Sequence, residues 1–204
     1  LAAQVTYTVQ DNTTAGQNPG GLNTQTDNST TGWTQIVAGP QATNNWSATQ
    51  TMPFTFEFYG NVVTGYRASS NGLVTFDTVS TALPSANDNL PSVNLPDNTI
   101  CVFWDDFTGT STGDDVDVQV FGTAGSQQLW IRWYSFKYGG CSFAYFGVVL
   151  EEGTNKIYVM DESYYSGSLT STVGVQRDST EATQFGTNTL NWANTSSSSN
   201  TNNG

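Results

Sequence analysis

Five aspartates, Asp105, Asp106, Asp114, Asp115 and Asp117, crowd into one short stretch of the chain. Carboxylate oxygens gathered by a turn are hard ligands of the kind calcium requires, so these five are candidate calcium ligands, although their spacing is not that of an EF-hand loop. The competing expectation is a solvated acidic turn in which one of the aspartates caps backbone amides. The chain has no histidine, which removes the ordinary serine and cysteine triads and any His-based zinc site. A carboxylate pair is the remaining catalytic option. The neighbouring pairs Asp105-Asp106 and Glu151-Glu152 would point to opposite faces of regular strands instead of flanking one cleft. The expectation is a protein without catalytic residues and without a resident cofactor, calcium excepted.

Aromatic residues offer a second chemistry. From Leu129 to Phe136, alternation puts Leu129, Ile131 and Trp133 on one face and Trp130, Arg132, Tyr134 and Phe136 on the other. An open row carrying Trp130 and Tyr134 would stack on sugar rings. The alternative is that the N-terminal segment or a neighbouring subunit covers it. Cys101 and Cys141 are the only cysteines. An even count in an extracellular chain suggests a disulfide, worth about 4 kcal/mol for a loop of about 40 residues; two separate buried thiols are the other reading. Asn12, Asn28, Asn45 and Asn194 each open an Asn-x-Ser/Thr sequon, a pattern that also arises by chance in an Asn- and Thr-rich chain.

These residues need strands to position them. Between Met52 and Asp77, Phe54, Phe56 and Phe58 alternate with Thr55, Glu57 and Tyr59, the pattern of a strand with one buried face. Gly60-Asn61 breaks the run, and Asn71-Gly72 sits where a two-residue hairpin turn with positive φ is expected before the return strand from Leu73 to Phe76. Val5, Tyr7 and Val9 read as a first short strand, set apart from the core by a polar loop from Asp11 to Thr31. Trp33 to Val37 reads as another. Leu83 to Asn98 holds Pro84, Pro91 and Pro96 and is expected to cross between sheets. Ile100, Val102 and Trp104 share one face of the next strand, with Cys101 and Phe103 on the other. Strands then follow from Val116 to Val120, Gln128 to Phe136, Ser142 to Leu150, Lys156 to Asp161 and Thr172 to Gln176. The fold class is all-β, an antiparallel β-sandwich of jelly-roll type with almost no helix. One domain is expected over residues 1–193, with residues 1–51 supplying the N-terminal strand and polar loops and 52–176 the core, followed by a Ser/Asn/Thr-rich tail at 194–204.

The chain of 204 residues carries 17 acidic and 5 basic side chains, a net charge of −12. Nucleic-acid phosphates and anionic membrane surfaces would repel it. No apolar run is long enough to insert in a bilayer as a helix. A start at Leu1 is expected of a mature chain whose targeting segment has been removed, pointing to secretion.

The series MPFTFEFYG, YRASSNGLVTF, LPDNTICVFWDDF, QLWIRWYSFKYGG, FGVVLEEGTNKIYVMD and TVGVQ, from about Met52 to Gln176, resembles a β-sandwich module of secreted, multidomain surface proteins of Bacteroidetes and related bacteria. In that module an LPFxFxFYG strand, an SSNGxxxF hairpin and an FWDDL-like strand recur in this order. The resemblance implies an extracellular, non-catalytic accessory or adhesion part. Asp77-Thr78-Val79 likewise resembles the short site those bacteria use for O-glycosylation, at Thr78. The expectation is a secreted structural or adhesive cell-surface protein, self-assembling as the subunit of a filament or sheath. Its partners would be copies of itself or other surface proteins, with Val5, Tyr7 and Val9 as the assembly strand. A carbohydrate-binding module with glycans as partners is the alternative.

Overall fold

In a computed structural model, residues 6–9, 31–40, 44–138, 141–165, 169–185 and 190–192 are described, with side chains throughout except at 141–142, 161–169 and 190–192. Among them there is no helix, and the strands form two antiparallel sheets that do not close into a barrel. The first sheet contains β1 (Thr34–Val37), β6 (Asp115–Phe121), β7 (Gln128–Tyr138), β8 (Cys141–Glu151) and β9 (Ile157–Tyr165), in that spatial order. The second runs β11 (Glu181–Gln184), β10 (Leu169–Asp178), β5 (Thr99–Trp104), β4 (Leu73–Thr75), β3 (Asn61–Ala68), β2 (Gln50–Phe58), and β12 (Leu190–Trp192) pairs with β10.

The main core lies between the sheets. Met52, Phe54, Phe56 and Phe58 of β2 enter it on alternate positions, as do Leu129, Ile131 and Trp133 of β7. The Trp133 ring stacks on Phe146 at 5.0 Å, and its indole N–H crosses the layer to donate to the Ser69 carbonyl at 2.7 Å. One bond thus satisfies a buried donor and ties the sheets together.

Bulges make three departures from simple alternation. In β7, Ser135 has φ 64 and the register shifts between Trp133 and Phe136. The extra residue turns Phe136 into the core, away from the outer face expected for it. In β5, the Val102 and Phe103 amides both donate to the Gly72 carbonyl, at 2.9 and 3.3 Å. Two residues opposing one is a bulge, so Phe103 faces inward and Trp104 outward, reversing their expected sides. In β2, the residues between Thr51 and Phe56 oppose only Thr64 of β3.

The hairpins also sort themselves differently. Tyr59 and Gly60 have φ 49 and 77, and Phe58 pairs with Asn61, so the two-residue turn with both residues at positive φ is here. At Asn71-Gly72 only Gly72 is at positive φ, and the Ser69 amide donates to Leu73 across a three-residue loop.

The proline-bearing segment after β4 does not cross between sheets, because β4 and β5 are neighbours in one sheet. It lies over that sheet's outer face, where Leu83, Leu90 and Leu95 pack on Leu73, Cys101 and Trp104. Polar side chains fasten it: Gln176 exchanges two bonds with the Ser92 backbone at 2.7 and 2.9 Å, and the Trp46 and Trp104 indoles donate to Ala82 and Pro84 carbonyls at 3.1 Å.

Candidate functional site

The acidic stretch is spread over a strand end, a turn and a strand start, and each carboxylate but one already has work. Asp114 accepts from the Thr110 and Ser111 amides at 2.8 and 2.7 Å, capping the turn. Asp115 accepts from the Gly39 amide at 2.9 Å. Asp117 accepts from Arg132 Nε and Nη2 at 3.1 and 3.0 Å, while Asp106 is exposed. Among the described residues no group of three or more Asp, Glu, Cys or His converges as a metal site. Asp114, Asp115 and Asp117 thus serve as backbone acceptors and an ion-pair partner, whereas a calcium ion needs six to eight oxygens about one point.

Asp105 differs from the rest. It is buried, its Oδ1 accepts from the Asp106 amide at 2.9 Å, and Oδ2 has no hydrogen-bond partner. Burial pushes its carboxyl up to about 6, with the Asp106 amide and the Tyr138 hydroxyl pulling the other way and the Asp106 charge adding to the rise.

The aromatic row on the outer face of the first sheet is covered. Trp130 is 1% exposed and packs with Val149 and Met160, beneath Trp33, Phe121 and Tyr158. That placement corrects Trp130 as an open stacking platform: Trp33, from the N-terminal part of the chain, helps to close the face over it. The Arg132 guanidinium lies 4.0 Å from the Trp33 ring and 5.1 Å from Tyr134, and Tyr134 is half-buried against Tyr145. Burial raises the Asp117 carboxyl, opposed by the Arg132 charge beside it. This is a buried cation held by rings and one carboxylate, a structural knot with little open surface.

Cys101 carries a free thiol, fully buried on the outward face of β5 among Leu73, Leu95 and Trp104. β8, which starts at Cys141, belongs to the other sheet. The Cys141 side chain lies outside the described residues, and the position of Cys101 lends no support to the expected bridge.

The N-terminal strand is not formed as expected: residues 6–9 are described without strand pairing, and Val5 lies outside the described residues. Tyr7 packs its ring on Phe58 and Tyr59 at 5.4 and 5.0 Å, and its carbonyl accepts from Thr183 Oγ1 at 3.1 Å. Val9 is 45% exposed. Of the modification sites, Asn12, Asn28 and Asn194 lie outside the described residues, and Asn45 is half-buried, its amide donating to the Ser70 hydroxyl and its carbonyl accepting from the Ser70 amide. Thr78 sits in a turn held by Asp77, whose Oδ1 accepts from the Val79 and Ser80 amides at 3.1 Å.

One feature carries no motif in the sequence. Along the part of β3 that β4 does not pair, an open groove of about 390 Å³ lies between β2, β3 and the Thr78 turn, and its wall includes Thr49, Thr51, Val63, Gly65 and Asn98. Scattered threonines and asparagines give no spacing signal, so only the fold assembles them.

No curated protein and no solved structure matches this chain. A family model described as NIDO related matches residues 22–204. NIDO is an extracellular, adhesion-type domain; the match speaks to family and not to a bacterial phylum. Among the described residues no helix is long and apolar enough to cross a membrane. With a model matched across nearly its whole length, the chain belongs to the NIDO-related family.

Proposed function

We propose that this chain is a non-catalytic, extracellular adhesion-type module that works by protein contacts, with copies of itself among its partners. The family match over residues 22–204 carries the reading. The self-assembling form draws support from Tyr7. Its ring and carbonyl seat on Phe58, Tyr59 and Thr183 without a strand ladder, so the segment docks as a peg that a neighbouring copy can supply equally well.

Light scattering and negative-stain microscopy of the purified protein test this. Assemblies larger than the 21.9 kDa chain that disappear in Tyr7→Ala are the expected result. A monomer at every concentration sinks the self-assembling form. Adhesion is tested separately, by coating a surface with the protein and measuring attachment of cells; attachment no greater than to an albumin-coated surface overturns it.

A further inference from the structure

We propose that the groove between β2, β3 and the Thr78 turn is a binding site for a neutral saccharide. The inference goes beyond the adhesion reading, which rests on protein contacts, by adding a small-ligand site.

Polarity is the first argument. Seven residues of the wall carry hydroxyl or amide side chains, three are Val62, Val63 and Phe76, one is Gly65, and none is charged. In a chain with 22 ionisable acidic and basic side chains this leaves a surface that hydrogen-bonds without selecting for charge. Sugar rings present that combination: hydroxyls around the edge and an apolar C–H face. Thr49, Thr51, Thr78 and Asn98 supply donors and acceptors for the edge, and Val63 and Phe76 supply the apolar floor. A phosphorylated or acidic sugar finds no cation here and meets a protein of net charge −12.

Rigidity is the second. Arg67 Nη2 donates to the Asp77 and Ser80 carbonyls at 2.8 and 2.5 Å, clamping the turn that carries Thr78. Asn98 is held by backbone bonds to Phe76 and Arg177 at 2.9 and 2.8 Å. Both rims are thus set before a ligand arrives, which lowers the ordering cost of binding.

Space is the third. A Cβ at Gly65 would stand 3.1 Å from the Gln50 carbonyl, 3.2 Å from the Thr49 methyl and 3.5 Å from the Thr78 methyl. The floor is open because this residue has no side chain. The volume of about 390 Å³ falls in the range of small-ligand sites.

The test uses the full chain with a panel of neutral disaccharides (maltose, cellobiose, mannobiose) and a sialylated trisaccharide, read by ligand-observed NMR and calorimetry. Binding of at least one neutral sugar, with no signal for the sialylated one, is expected. Thr78→Trp fills the groove from its rim and should weaken binding at least tenfold, and Thr51→Ala should weaken it several-fold. Val120→Thr, on the other sheet, should leave it unchanged, and melting curves check that all variants fold. Failure of every neutral sugar to bind at millimolar concentration overturns the proposal, as does undiminished binding by folded Thr78→Trp. An extended neutral peptide that binds the groove while sugars do not overturns it in favour of a protein ligand. Light scattering and cell attachment do not depend on the groove, so they show separately whether the adhesion reading stands.

Discussion

Among single residues, Asp105 has the most to say about solution behaviour. Its carboxyl titrates at about 6 in the folded protein, above the ordinary value of 3.8. The unfolded chain loses that proton near pH 4 while the folded chain keeps it until about pH 6, so Asp105 favours folding fully only below pH 4. Its contribution falls as pH rises from 4 to 6 and is then flat. Asp105→Asn removes the slope. The variant should melt higher than wild type at pH 7.5 and at the same temperature at pH 3.5, as scanning fluorimetry across that range will show. Equal melting points at pH 7.5 would mean that the buried carboxylate is well solvated after all. Arg132 makes the contrasting case, a buried charge with a carboxylate at 3.0 Å and two rings within 5.1 Å. Its charge is met by a carboxylate and two rings, whereas Oδ2 of Asp105 has no hydrogen-bond partner.

At the scale of elements, the Gly72 hairpin and the β5 bulge form one device. Gly72 has φ 72, and a Cβ there would fall 2.1 Å from the Phe103 carbonyl oxygen. Only glycine lets the bulged strand come so close. Gly72→Ala should therefore cost more than the 1 to 2 kcal/mol, roughly, of a left-handed alanine, because the backbone of β5 must also move. A urea midpoint lowered by no more than that, at unchanged m-value, would show that the bulge yields easily. The same device marks how far the fold was legible. Alternation in β2 and β7 located the buried faces of Phe54, Phe56, Phe58, Leu129, Ile131 and Trp133, because a half-buried strand repeats every two residues. Bulges add one residue without changing composition, so Phe103, Trp104 and Phe136 came out on the wrong faces. The short strand β11 lacked any apolar alternation to announce it, and β12 is only three residues long. The surroundings of the candidate sites were less legible for a related reason. Clustering in sequence suggested a calcium turn and an aromatic platform, whereas the partners of Asp115 and Asp117 and the cover over Trp130 come from outside the stretch, Gly39, Arg132 and Trp33.

For the whole molecule, charge sets the terms of association. Of the five cations, Arg132 is buried against Asp117 and Arg177 is paired with Asp178 and Glu181, so the protein shows its neighbours a mostly anionic surface. Copies that dock through Tyr7 must overcome this repulsion, which is screened over about 10 Å at 0.1 M salt. Self-association should strengthen between 20 and 500 mM sodium chloride and toward the sequence pI of about 4.1; sedimentation velocity showing dissociation with added salt would instead indicate that attraction between charges drives it. The buried thiol of Cys101 finally gives the molecule a clock. Burial raises its pKa, and the loop bearing Leu83, Leu90 and Leu95 seals it from solvent, so a thiol reagent reaches it only when that cover lifts or the sandwich opens. In a Cys141→Ser background, the labelling rate set against the global unfolding rate reads whether the outer layer detaches by itself or only with the rest.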